Sequence, residues 1–238
     1  MAFGTENRRL ATARVVDRTV IDEGLREYML RVYNYMASGL ALTGAIAYAV
    51  AQNETLLQVI YGTPLMWVVF LAPIGLVLLL SARLHKMSVA AVQGTFWVFA
   101  ILMGVSLASI FLVYDLPSIA RVFFITAGTF GAMSLYGYTT ERDLTRWGSF
   151  LFMGLIGIII ASVVNMFMAS SALHFAISVI GVLVFTGLTA YDTQKIKEMY
   201  VESDSTAVAS KKSIMGALRL YLDFINLFIM LLHLFGRR

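Results

Sequence analysis

Two aspartates stand in apolar surroundings where a carboxylate is costly. Asp192 lies in TAYDTQ and follows a long run of apolar residues. Asp223 lies in LRLYLDFINLF, four residues after Arg219 and three before Asn226. Because a charge at the centre of a bilayer costs roughly 3 kcal/mol even on insertion scales, an ionisable side chain in such a run indicates a functional site.

The two aspartates are expected at similar depth on adjacent helices. Lys195 follows Asp192 by three residues, or ~4.5 Å of helical rise, and Arg219 precedes Asp223 by four, or ~6 Å. If both cations extend to the same interface, the carboxylates lie level with each other. Two such carboxylates titrate as a unit and offer hard oxygen ligands to a proton or to a cation such as calcium. This arrangement predicts a pH-sensitive cation pathway.

Two structural interpretations stay open beside that hypothesis. Asp192 can cap its own helix or pair with a lysine in the following turn. Asp223 can pair with Arg219, because residues four apart share a helix face. Arg219, Asp223 and Asn226 also form a polar stripe, which favours a last helix that faces protein rather than lipid.

The composition places these residues in a membrane protein. Of the 238 residues, 59% are hydrophobic and 13% are charged, whereas soluble domains carry about 25% charged residues. A helix needs about 20 apolar residues to cross the hydrocarbon core. Seven stretches qualify, and the third is long enough to require tilt: residues 32–51, 65–82, 89–113, 118–138, 147–168, 172–193 and 214–235. The predicted fold is therefore all-α, with seven transmembrane helices.

The connections divide the chain into three parts. Residues 1–31 form a basic N-terminal segment with a short surface helix over residues 12–28, residues 32–235 form the transmembrane domain, and residues 236–238 form a basic tail. The segment 52–64 is predicted to be an outer connection, and residues 169–171 a tight hairpin. The polar stretch ESDSTAVASKK is predicted to be a flexible loop, whereas QKIKEMY before it extends the sixth helix.

The positions of lysine and arginine predict a cytoplasmic N-terminus, since most of the 18 basic residues then fall on the inner side. Arg237 and Arg238 at the other end leave open whether the last helix crosses or is re-entrant.

No pattern typical of an enzyme or a resident cofactor is present. There is no P-loop, no dinucleotide-binding glycine pattern and no serine motif with a histidine partner inside the spans. The three histidines lack metal-ligand spacing, and there is no cysteine. We therefore predict a protein that is not an enzyme and has no cofactor, with calcium only as a permeant ion that Asp192 and Asp223 could bind.

Two segments resemble a known family. GVLVFTGLTAYDTQKIKEMY resembles the signature of the Bax inhibitor-1 family of integral membrane proteins, also called the transmembrane Bax inhibitor motif family. LRLYLDFINLFIMLL resembles the last span of the same family. The similarity extends over nearly the whole chain and is of the bacterial type.

The resemblance implies seven helices, of which the last is enclosed by the other six. It implies calcium leak across a membrane, with pH sensitivity assigned to two aspartates that correspond to Asp192 and Asp223. An arginine on the second helix is implied to latch the closed state, and Arg83 is the best match. Arg83 and Arg219 are thus the candidate counter-charges, and Asn226 is a supporting polar residue.

The leading prediction is a passive, pH-sensitive calcium leak channel of a bacterial inner membrane, gated by the two aspartates. The alternative is a non-conducting regulator that binds other membrane proteins, such as a membrane protease or cell-death and stress partners. In that case the aspartates hold the fold through buried hydrogen bonds. A proton-coupled transporter is a third alternative, which the lack of a visible repeat disfavours. The predicted partners are the lipid bilayer, the cation and other membrane proteins, with no nucleic acid.

Overall fold

The computed structural model describes the backbone of residues 3–237 and the side chains of residues 23–237. Over that part of the chain the protein consists of helices alone: α1 Phe3–Ala51, α2 Glu54–Tyr61, α3 Leu65–Arg83, α4 Val89–Leu107, α5 Ile110–Val113, α6 Leu116–Thr139, α7 Thr145–Met168, α8 Ser171–Glu198 and α9 Thr206–Phe235. Six apolar stretches are long enough to cross a membrane, namely α3, α4 with α5, α6, α7, α8 and α9. The predicted all-α membrane fold is confirmed.

The first span and the surface helix predicted before it are one continuous helix, α1. Tyr28, Met29 and Val32 are at most 3% exposed, because this side of α1 packs against α4 and α9. The predicted surface helix therefore does not end at residue 28. The side chains of residues 1–22, including the arginines of the basic segment up to Arg18, lie outside the described residues, as does Arg238. The six apolar stretches do not include α1, so the count of seven spans is not confirmed.

The third apolar run is interrupted rather than straight. α4 ends at Leu107 and α5 begins at Ile110. At the break, the hydroxyl of Tyr61 donates to the carbonyl of Val105 at 2.7 Å and accepts from the amide of Ser109 at 3.1 Å. Tyr61 belongs to α2, a short helix within the predicted connection 52–64 that is capped by Asn53.

The prediction of a flexible loop before the last span is wrong over most of the length of that loop. α9 begins at Thr206, and the side chain of Ser205 caps it by accepting from the amide of Val208. Lys212 closes the turn between α8 and α9, since its ammonium donates to Asp204 at 2.5 Å and to the carbonyl of Met199 at 3.0 Å. The helical extension of α8 to Glu198 agrees with the prediction.

α9 is the most buried of the six apolar stretches. Inside the protein, 67% of its most apolar window is buried, against 39% or less in the others. It packs against α1, α4, α6 and α8, whereas α3 packs on α4 and α7 packs on α8. Enclosure of the last helix by all six others is thus not confirmed, because the main contacts come from four.

The bundle has two distinct ends. At the hairpin end, α7 passes into α8 through Ala169, whose φ of 49° is left-handed, and the predicted tight hairpin is confirmed. The C-terminus lies at the same end, since the amide of Arg237 donates to Ser118 at 2.9 Å. α9 therefore runs the length of the bundle, and the re-entrant alternative is not adopted. We call the opposite end, where α8 ends and α9 begins, the basic end, after Lys197 and Lys212.

Candidate functional site

Asp192 and Asp223 meet between α8 and α9. These helices are antiparallel and share the short turn at the basic end, so residues near that turn face each other across the contact. Asp223 is 6% exposed and Asp192 is partly buried. Their side chains are close enough for a hydrogen bond. Because an ionised carboxylate only accepts hydrogen bonds, a hydrogen bond between these two side chains would need a proton on one of them.

The carboxyl pair forms part of the wall of a cavity of about 480 Å³ between α7, α8 and α9. Ser149 of α7 and Arg219 and Asn226 of α9 are further polar lining residues. The Oδ2 atom of Asp223 is buried and has no hydrogen-bond partner among the described residues. One residue of the cavity wall therefore contains a buried acceptor that the described protein groups do not satisfy.

The lysines that follow Asp192 bind elsewhere. Lys195 pairs with Glu198 at 2.7 Å, and Lys197 donates to the carbonyl of Tyr138 at 2.9 Å. The interpretation in which a nearby lysine neutralises Asp192 is therefore not adopted. The basic group that acts electrostatically on Asp192 is Arg219, on the neighbouring helix.

Arg219 acts on both aspartates electrostatically. Its side chain is exposed, and over residues 23–237 it forms no ion pair with either carboxylate at contact distance. Arg219 is thus a counter-charge at the cavity wall rather than a direct partner. Arg83 is exposed at the end of α3, which packs on α4, and it does not line this cavity.

Asn226 completes the polar stripe of α9 in a limited way. Its side-chain amide donates to the carbonyl of Leu222, one turn back in the same helix, at 2.8 Å. Asn226 therefore lines the cavity without contacting either aspartate through this nitrogen. Within the described side chains, no group of three or more His, Asp or Glu residues is placed to hold a metal ion.

Gln194 is a structural residue of the site that the sequence analysis missed. Its Oε1 atom accepts from the amide of Leu144 at 2.9 Å, and its Nε2 atom donates to the carbonyl of Arg142 at 2.9 Å. Gln194 thus fixes the connection between α6 and α7 to α8, two residues from Asp192. The signal that could have indicated this role is a glutamine directly after a long apolar run of the sequence.

A chain of hydroxyl groups also reaches α8 from the opposite side. Tyr33 of α1 hydrogen-bonds to Ser134 of α6 at 2.5 Å, and Ser134 to Thr193 of α8 at 3.0 Å. Thr193 in turn donates to the carbonyl of Thr189 at 2.7 Å. The residue next to Asp192 is therefore held by a polar contact that spans three helices.

Close helix approach positions the segment before Asp192. A Cβ atom at Gly148 of α7 would collide with the ring of Tyr191, and one at Gly137 of α6 would collide with the backbone of Ala190. Both glycines are needed because α6 and α7 approach α8 so closely. The two neighbours of α8 thereby fix the register of the residues that lead into the carboxyl pair.

An all-helical bundle with apolar outer helices defines an integral membrane protein, and a carboxyl pair lines a cavity between three of its helices. A family model described as "Inhibitor of apoptosis-promoting Bax1" matches residues 25–238, and the chain belongs to this family, the Bax inhibitor-1 family.

Similar proteins occur in distant bacteria. The chain is 52% identical over 217 residues to protein RP147 of Rickettsia prowazekii, which covers 91% of this chain and 92% of the relative. It is 48% identical over 218 residues to the inner membrane protein YbhL of Escherichia coli K12, covering 90% and 93%. It is 34% identical over 222 residues to the membrane protein SpyM3_0260 of Streptococcus pyogenes, covering 92% and 96%.

Proposed function

We propose that the protein is a passive, pH-sensitive leak pathway for cations, with calcium as the main permeant ion, and that Asp192 and Asp223 form its gate. The observation that carries this proposal is the contact between two carboxyl groups at the wall of the 480 Å³ cavity. The buried Oδ2 atom of Asp223 supports it further, because an acceptor without a protein hydrogen-bond partner is costly to bury unless a proton, a water molecule or a cation satisfies it.

Proton and cation compete for the same oxygens in this mechanism. With one shared proton the pair carries a single negative charge, which Arg219 balances across the cavity. Loss of that proton leaves two negative carboxylates in contact, and their repulsion separates α8 from α9. A divalent cation with oxygen ligands then replaces the proton. We therefore expect cation flux to decrease as the pH falls.

The orientation that fits the proposal has a cytoplasmic N-terminus. The second half of α1, residues 32–51, is then the first of seven crossings, and the basic end faces the cytoplasm. The positive-inside tendency supports this, because Lys197 and Lys212 lie at that end and Arg83 ends α3 there. The E. coli relative YbhL is named as an inner membrane protein, which supports an inner-membrane location. The C-terminus is then external.

Calcium flux into proteoliposomes between pH 5 and pH 8 tests the proposal. We expect flux in the wild type to rise with pH, and Asp192→Asn and Asp223→Asn to remove most of that dependence. Glu198→Gln is the matched control, because it removes a carboxylate from the same end of α8 outside the cavity, where Glu198 pairs with Lys195.

Each arm has its own meaning. Absence of flux in every condition would overturn the channel and favour the non-conducting regulator, in particular if both asparagine variants also lost thermal stability. Flux whose pH dependence is the same in all four proteins would retain a channel and remove the carboxyl gate.

A further inference from the structure

A long groove runs along the side of the bundle between α1 and α6. Two cavities form it, each of about 500 Å³, and they share Tyr33 and Phe130 as lining residues. α1 packs on α4 and α9, and α6 packs on α8 and α9, so the space between α1 and α6 is open to the outside. Phe224 of α9 lies at the floor of the second cavity.

The apolar part of the groove is wide because small residues line both walls. Ala37, Ala41 and Ala45 recur at every fourth position of α1, and Ala127 and Gly131 do so on α6. From residue 33 to residue 45 the groove follows ~18 Å of helix. This length is close to half the thickness of the ~30 Å hydrocarbon core. One acyl chain of a phospholipid covers about that half.

The mouth of the groove at the basic end is positively charged. Arg26 lines it, is exposed, and forms no ion pair within the described residues. Lys197 lies 5.2 Å from the ring centre of Tyr138, which is another lining residue. Among residues 23–237, no aspartate or glutamate lines either cavity. Glu27, next to Arg26, is held at 2.8 Å by Arg31.

We propose that this groove is a binding site for one anionic phospholipid. One acyl chain lies along α1 from Tyr33 to Ala45, and the phosphate lies at the mouth beside Arg26 and Lys197. Cavities of this size with apolar walls and a few polar groups at one end are typical of small-ligand sites. Basic pockets between membrane helices recognise anionic headgroups by charge. The apolar length and the basic mouth together favour a lipid over a partner helix.

Native mass spectrometry of the full-length protein with added phosphatidylglycerol or phosphatidylcholine tests the site. We expect the wild type to retain one phosphatidylglycerol under conditions that remove phosphatidylcholine. Arg26→Gln should reduce the preference for phosphatidylglycerol about 5-fold, the effect of one basic residue near an anionic headgroup. Its binding of phosphatidylcholine should not change.

Filling the groove gives a second arm with a matched control. A Cβ atom at Gly131, at Gly44 or at Gly128 meets nothing within 4 Å, so all three positions accept a side chain. Gly131 and Gly44 line the groove, whereas Gly128 is exposed elsewhere on α6. Gly131→Leu and Gly44→Leu should each lower phosphatidylglycerol retention at least 10-fold, and Gly128→Leu should retain it.

Several results would overturn the proposal. Equal retention of the two lipids by the wild type would remove the role of charge. Unchanged retention in both groove-filling variants that fold would place the lipid elsewhere. A wild-type dimer that Gly131→Leu converts to a monomer, with no change in bound lipid, would identify the occupant as a helix of a second copy.

Discussion

Thr43 of α1 and Tyr221 of α9 share a hydrogen bond of 2.7 Å in the interior, where both are at most 3% exposed. The hydroxyl of Thr43 also donates to the carbonyl of Ala100 on α4 at 2.8 Å. Since Thr43 uses its only proton there, Tyr221 is the donor in the bond between the two side chains. Three helices are thereby joined at one point around the central helix.

Loss of this junction should destabilise the bundle. Tyr221→Phe removes one interhelical bond and should cost about 1 kcal/mol. Thr43→Val removes both bonds and leaves the Tyr221 hydroxyl buried without a partner, so a larger decrease of roughly 1–2 kcal/mol is expected. Thermal unfolding in detergent measures both. Thr95→Val is the control, because Thr95 is partly exposed and its hydroxyl bonds to Ala91 of its own helix rather than to another helix. Equal melting temperatures in all three variants would contradict the assignment.

Gly137 should be intolerant of even a methyl group. A Cβ atom there collides with the backbone of Ala190, which cannot rotate away as a side chain can. Gly137→Ala is therefore expected to push α6 from α8 and lower stability by roughly 1–3 kcal/mol. Gly128→Ala on the same helix, where a Cβ atom meets nothing within 4 Å, should leave stability unchanged or raise it slightly. The difference in melting temperature between the two variants is the measurement.

Gln194→Ala should release the connection between α6 and α7. The amide of Leu144 loses its acceptor and the carbonyl of Arg142 loses its donor, so we expect faster hydrogen exchange in residues 140–146. Peptide-level exchange measured by mass spectrometry reports this directly. Lys195→Ala, one residue away, removes the ion pair with Glu198 and the contact with the Tyr191 ring but no hydrogen bond to residues 140–146, so exchange in that segment should stay unchanged. No difference between the two variants would disprove the structural role of Gln194.

Tyr28 should make the protein sensitive to alkaline conditions. Burial raises the pKa of its hydroxyl from 10.0 to about 12, Asp204 adds to the increase, and Arg219 opposes it. A raised pKa means that the neutral form is favoured by folding. The associated stability is present below pH 10 and is lost as the pH rises from 10 towards 12.

Tyr28→Phe has no proton to lose at this position, so its melting temperature should decrease less between pH 9 and pH 11. At neutral pH the variant should match or exceed the wild type, because the Tyr28 hydroxyl is buried with no hydrogen-bond partner among the described residues. If the melting temperatures of the two proteins decreased equally between pH 9 and pH 11, the stability assigned to the neutral Tyr28 hydroxyl would be disproved. Tyr48→Phe is the control, since Tyr48 is 46% exposed.

The positions of the apolar helices were predictable because lipid leaves little choice. A long apolar run in a bilayer must satisfy its own backbone, and a helix does so locally. The predicted spans that became α3, α6 and α7 begin and end within two residues of the observed helices. The break between α4 and α5 was not predictable, because the hydroxyl that binds there belongs to Tyr61 of another helix. Sequence periodicity contains no information on such a contact.

The candidate site, too, was predictable from the sequence only in part. Counting helical rise indicated that Asp192 and Asp223 could face each other, since α8 and α9 are consecutive and share a turn. Whether Lys195 pairs with Glu198 or with Asp192 depends on the direction of its side chain within one helix turn, and the sequence does not specify this. The contact of Gln194 with Leu144 joins positions 50 residues apart. The lipid groove depends on how far α1 stands from α6, which no local pattern specifies.

α9, the most buried of the six apolar stretches, is synthesised after the four helices that pack against most of its surface. Until α9 has entered the membrane, Thr43 on α1 lacks the hydroxyl of Tyr221, and Asp192 lacks the carboxyl group of Asp223. The earlier helices must therefore remain inserted with an unfilled centre for the time needed to synthesise α9. Truncation before Thr206 should leave a product that membrane quality-control proteases remove, and the carboxyl pair forms only once α9 is in place.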